Sequence, residues 1–128
     1  MNYYASRIIN DSFENTENRM RNTLADEGFG INAEINIGET FKEKLGKDFR
    51  NYKILGACNP ENAYQAIQAE ANIGIMLPCN VLLQEKQPGE VEVSVVDPVA
   101  VMDIVNNDTV TDITKTIRSR LNSALQKA

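Results

Sequence analysis

The chain has 128 residues, 42% hydrophobic and 24% charged, with a net charge of −5, two cysteines, no histidine and no tryptophan. That length suits one ordinary core needing neither metal nor disulfide staple, so residues 1–128 are expected to form a single α+β domain. The missing imidazole excludes Ser-His and Cys-His dyads, two thiols fall short of a four-thiolate zinc site, and the acidic balance argues against nucleic acid or an anionic membrane as partner.

Tyr3–Ile9 reads as a first strand. Asp11 or Ser12 can cap a helix over 13–27, with Phe13, Met20 and Leu24 on its apolar face and Gly28 as a left-handed stop. Next comes a strict period of two, in which Ile31, Ala33, Ile35 and Ile37 alternate with Asn32, Glu34 and Asn36. The pattern predicts a strand with these four residues on one buried face, in a sheet covered on one side. A short helix over 39–45 would pack Phe41 and Leu45. Residues 52–58 form a third strand. Asn59 as cap and Pro60 at the first helical position then start a helix running to about Ala71, with Ala63, Tyr64, Ile67 and Ala71 inward.

Residues 79–85 and 91–95 read as a hairpin around the turn Gln87-Pro88-Gly89, with Val91, Val93 and Val95 on one face. Asp97-Pro98 ends it, and 99–105 suits a helical turn. Thr109 with Asp112 resembles a capping box for a last helix carrying Val110, Ile113, Ile117, Leu121 and Leu125 at helical spacing. This order predicts a two-layer α+β sandwich: a mixed or antiparallel sheet of about five strands with helices packed mainly on one face. The helix joining strands 52–58 and 79–85 favours a parallel relation between them.

The only cysteines stand in two similar settings, Gly56-Ala57-Cys58-Asn59-Pro60 and Leu77-Pro78-Cys79-Asn80. Cys58, just ahead of a helix, would feel the positive end of that helix if exposed, which lowers a thiol pKa. Cys79 shares the apolar side of its strand with Val81 and Leu83, which favours burial. For both thiols packing outweighs chemistry. A parallel arrangement would separate the sulfurs by roughly 15–20 Å, whereas an antiparallel one would bring both to a common rim. Asn59 reads first as a cap, Asn80 as a surface residue and Asp97 as a strand end, although each can also hold a ligand. Lys115, Arg118, Arg120 and Lys127 lie on the last helix with no acid beyond Ile113, a placement that suits the helix dipole.

These motifs, with Ala63-Tyr64-Gln65-Ala66-Ile67, Val91–Val95 and Asp97-Pro98, resemble the domain-of-unknown-function family 302 of small prokaryotic proteins. The resemblance implies a compact α+β domain and brings no reaction, cofactor or catalytic residue. The favoured function is a small-molecule or partner-binding domain without turnover. Its candidate site is Cys58, Asn59, Pro60, Pro78, Cys79, Asn80 and Asp97, with no metal and no cofactor. The alternatives are thiol redox or sulfur handling through Cys58 or Cys79, and a structural or assembly module. A small-molecule ligand and a homodimer remain open as partners; nucleic acid and membrane are not expected. No apolar run reaches membrane-spanning length and MNYYASRIIN lacks a signal-peptide pattern, so a cytoplasmic location is expected.

Overall fold

The computed structural model describes residues 2–128. Their order is β1 (Tyr4–Asn10), α1 (Phe13–Asp26), β2 (Gly30–Asn36), α2 (Ile37–Leu45), β3 (Tyr52–Cys58), α3 (Pro60–Ala69), β4 (Cys79–Gln87), β5 (Glu90–Val96), α4 (Pro98–Val101) and α5 (Asp108–Lys127), with 3₁₀ turns at Ala71–Met76 and Asp103–Val105. Short polar side chains set the helix starts by accepting from otherwise unpaired backbone N–H groups. Ser12 caps α1 through the Asn15 N–H, Asn36 caps α2 through Glu39, and Asn107 caps α5 through Val110. Asn107 thus replaces the expected Thr109–Asp112 box. Capping by Asn36 also takes Ile37 out of the second strand and into α2. In that helix Phe41 packs edge-on to Phe49, with centroids 5.2 Å apart, while Leu45 is exposed rather than packed.

The five strands form one antiparallel sheet in the order β1-β5-β4-β3-β2, an α+β architecture. The expected parallel relation of β3 and β4 is overturned. The 3₁₀ turn after α3 carries the chain back to the end of the sheet it left, so that Ala57 sits opposite Cys79.

One face of the sheet is dry. Val91, Val93 and Val95 of β5 join Cys79, Val81 and Leu83 of β4 and Leu55 and Ala57 of β3 beneath the helices. Val110, Ile113, Ile117, Leu121, Ala124 and Leu125 of α5 cover them, beside Met20 and Leu24 of α1. Each fully buried aliphatic side chain contributes about 1.5–3 kcal/mol. The α3 helix ends at Ala69 and turns Ala66 inward; Tyr64 and Ile67, expected inside, are exposed. It also packs against α5, and small alanines permit close helix approach.

The second strand departs most from its pattern. A register shift between Ile31 and Ala33 places one extra residue in β2. Because side chains alternate, one extra residue reverses every face beyond it. Ile31 pairs with Ala57 on the dry side, but Ala33 and Ile35 pair with Gly56 and Ile54 on the other, and Ile35 is 47% exposed. Glu34 is thereby turned to the helix side, where it pairs with Lys53 and with Arg21 at 2.9 Å; Lys53 also meets Glu17 at 3.0 Å. Burial works against the Lys53 charge, but hydrogen bonds to Glu34 and Glu17 outweigh it and raise its pKa. The same contacts from Lys53, then Arg21, hold the Glu34 carboxyl below its usual range.

Arg7 ties the edge strand β1 to the end of α5. Its Nη1 donates to the main-chain oxygens of Leu125, Gln126 and Ala128 at 3.0, 3.0 and 2.9 Å. These oxygens have no partner within the helix, and a cation there also suits the dipole. Arg7→Ala is expected to lower the unfolding free energy by about 1–3 kcal/mol. Urea unfolding checks this: the midpoint should fall with the slope unchanged.

Candidate functional site

Five of the seven sequence-derived candidates gather at one end of the sheet. Cys58 closes β3, and Asn59 follows as the cap of α3, accepting from the Asn62 N–H at 3.2 Å with Pro60 at the first helical position. Pro78 and Cys79 lead into β4 alongside. The Pro78 ring lies against Gly56: a Cβ built on that glycine would stand 2.6 Å from Pro78 Cγ and 3.0 Å from Ala33 Cβ. Glycine is what lets the chain pass so closely there.

Both cysteines line an enclosed cavity of about 20 Å³, walled by Phe29, Ile73, Met102 and Ile117. That space suits a water molecule and nothing larger. Cys79 is buried, Cys58 half-buried, and both are free thiols. Burial, and then the neighbouring Cys58, push the Cys79 thiol up to about 11, so almost none of it is the nucleophilic thiolate near neutrality. Among the described residues, no three His, Cys, Asp or Glu side chains gather to hold a metal, and no helix is long and apolar enough to cross a membrane.

The other two candidates face elsewhere. Asp97 stands at the same end, where it caps α4: its Oδ1 accepts from the Val99 and Ala100 N–H groups at 2.9 and 3.3 Å, and Oδ2 lies 3.8 Å from Arg118 Nη1. Asn80 is exposed on the opposite, helix-free face. The basic residues of α5 are largely committed: besides Arg118, Arg120 donates to the Glu27 carbonyl at 3.2 Å, and Lys127 meets the Glu27 carboxylate at 3.4 Å.

Asn80 borders a feature that strand patterns did not reveal. The helix-free face carries a groove of about 440 Å³, open to solvent, across β1, β5, β4 and β3, within the range of about 300–1,000 Å³ usual for small-molecule sites. Its floor holds Gln84 and Ser94, each only 8% exposed. Tyr52 stands opposite Gln84 on β3, and Tyr4 stands opposite Val96 on β1. Arg50 donates to Gln84 Oε1 through Nε at 3.1 Å and Nη2 at 3.0 Å, while its guanidinium lies over the Phe49 and Tyr52 rings at 4.4 and 5.6 Å. The remaining large trough, between α3 and α5 around Tyr64 and Thr109, has no buried polar group in its lining other than the backbone. In sequence the clue was faint: polar side chains at 80, 84, 92 and 94 look like ordinary solvent-facing positions.

The chain matches the model of a family described as "Domain of unknown function DUF302" over residues 5–128. It is also similar in structure to an uncharacterized conserved DUF302 protein from Bacillus stearothermophilus, solved by crystallography. The TM-score is 0.92 and the identity 24%, over 99% of this chain and 98% of that one; a likeness at that identity speaks for the fold. No curated protein matches the chain.

Two outcomes follow for the cysteine rim. Gly56→Ala should cost about 1–3 kcal/mol of stability, since neither the Pro78 ring nor the Ala33 methyl can rotate away; chemical denaturation measures it. The raised Cys79 pKa gives a pH signature. Stability tied to keeping that thiol protonated is fully present below its ordinary value near 9 and is lost as pH rises to about 11, because the unfolded chain ionises first. The loss amounts to roughly 2–3 kcal/mol. Unfolding of Cys79→Ala across that range should lack this part of the alkaline decline.

Proposed function

The chain belongs to the DUF302 family, and on that footing we propose that it is a binding domain without turnover, which holds a small molecule in the groove of the helix-free sheet face. The continuous family match over residues 5–128 supports treating it as one α+β domain. The observation that carries the reading is the pair of polar side chains, Gln84 and Ser94, that line the groove while being 8% exposed. Arg50 already holds the Gln84 amide oxygen, and no buried side-chain nitrogen or oxygen among the described residues lacks a partner; ordered polar groups in a ligand-sized hollow suit recognition.

Binding is favoured over catalysis by what surrounds the groove. Glutamine and serine neither give nor take protons near neutrality, and the chain has no histidine to activate the serine. Thiol chemistry is disfavoured by the buried Cys79, whose pKa lies at about 11. In this reading Asn80 borders the ligand, whereas Cys58, Asn59, Pro60, Pro78 and Cys79 stand at the end of the sheet and line no part of the groove. Asp97 holds α4 and Arg118 in place.

A thermal-shift screen of metabolites tests the proposal. A ligand at a hundredfold over its dissociation constant should add about 2.7 kcal/mol, on the order of 10 °C for a chain of this size. The rise should scale with concentration and shrink in Ser94→Ala. A flat response throughout, in protein that melts cooperatively, rejects the reading.

A further inference from the structure

Resting on the groove as the binding site, we infer that its ligand is a neutral, flat ring carrying a carbonyl on its edge, the chemistry of a cyclic amide. Four features lead there. The first is charge. The charged side chains lining the groove are Lys86 and Glu92, and they meet each other at 3.4 Å. Arg50 beside it is committed to Gln84 and to two aromatic rings. An anion or cation would find no free counter-charge to replace its water.

The second feature is the Gln84 amide. Arginine has donors only, so the atom receiving both Arg50 N–H groups must be the amide oxygen. That fixes the amide's orientation and leaves the Gln84 NH₂ as its unused group. It presents donors, and an incoming molecule must supply an acceptor such as a carbonyl oxygen.

The third feature is Ser94, which lines the groove at 8% exposure. Its hydroxyl both donates and accepts. Leu82 stands opposite Ser94 and Gln84 opposite Glu92, so Gln84 and Ser94 are diagonal neighbours with Cα atoms about 7–8 Å apart. Both can reach one edge of a ring, with Gln84 on the carbonyl and Ser94 on the adjacent N–H.

The last feature is shape. Tyr52 flanks Gln84 on β3, Tyr4 and Tyr3 flank the Ser94 side at β1, and Leu82 supplies apolar floor. Aromatic walls on either side of a polar strip favour a flat, polarisable ring over a puckered one.

The test is an amide-detected NMR titration of the full chain with 2-pyridone, benzoate and cyclohexanecarboxamide as probes. So few atoms bind weakly, in the millimolar range. Expected are saturable 2-pyridone shifts at the Gln84 side-chain amide and at the Ser94 and Tyr52 backbone amides, with the other two probes at least about tenfold weaker. Ser94→Ala should weaken 2-pyridone about fivefold to tenfold, the loss of one hydrogen bond. Ser94→Thr, which keeps the hydroxyl, should retain most of the binding, separating recognition from misfolding. If benzoate or cyclohexanecarboxamide binds these residues as well as 2-pyridone does, the ligand class fails while the groove stands. If no probe gives saturable shifts, or shifts fall outside the groove, both readings fail. Groove shifts that track protein concentration alone, with no displacement by 2-pyridone, would assign the face to a second copy of the chain and overturn the inference.

Discussion

The contact between α5 and the middle of the sheet is the foundation of this molecule. Val91, Val93 and Val95 on one side and Val110, Ile113, Ile117 and Leu121 on the other are at most 7% exposed. The two periodicities must match for this to work. A strand offers every second residue, a helix every third or fourth, and only strips of aliphatic side chain on both give an unbroken dry layer. Once α5 occupies that layer, α1 and α3 find their places beside it, since both pack against α5. The cover of α1, α3 and α5 is thus drawn to one side, and the reverse face of β3, β4 and β5 is left free to carry polar side chains.

Charge is handled by the same division. The helix side admits ionised groups only where they are paired, as in the Glu17, Arg21, Glu34 and Lys53 cluster. The β2 bulge makes that cluster possible by turning Glu34 inward. Lys53 and Glu17 are mostly screened from water while Arg21 and Glu34 are partly open to it, so the cluster's value lies in fixing the register of β2 against β3 more than in raw stability. On the reverse face, Arg50 lies over Phe49 and Tyr52 and holds the Gln84 amide in one orientation. Ordering a polar side chain before any ligand arrives reduces the entropy lost on binding.

How much of this could be read from the chain alone depended on whether the deciding contact was local. The first helix was legible from its cap at Ser12, its Phe13–Met20–Leu24 spacing and its stop at Gly28, because all three lie within one stretch. The hairpin was legible from its valines and its turn. The face of β2 was not: the extra residue is defined only by pairing with β3. The inward side of α3 was misjudged because the expected face of Ala63, Tyr64, Ile67 and Ala71 assumed a longer helix in another rotation; packing against α5 turns Ala66 inward, and Tyr64, Ile67 and Ala71 are exposed. The relation of β3 to β4 turned on a 3₁₀ reversal with little sequence signature. Cys58, Asn59, Pro60, Pro78 and Cys79 lie at one end of the sheet only because β3 and β4 run antiparallel; the favoured parallel relation would have separated the two cysteines. The groove escaped notice because Tyr4, Tyr52, Gln84 and Ser94 come from four strands that only the pairing order brings side by side.

That order has a kinetic side. The first strand made is an outermost strand of the finished sheet, and Tyr4 must await Val96 as Asn10 awaits Glu90. A chain emerging during synthesis therefore carries Tyr4 and Ile8 without a strand neighbour until β5 has appeared. Closing so long a loop is entropically unfavourable until the hairpin of β4 and β5 already stands as a template. The edge of the sheet is thus the step at which folding is most open to interception by another chain.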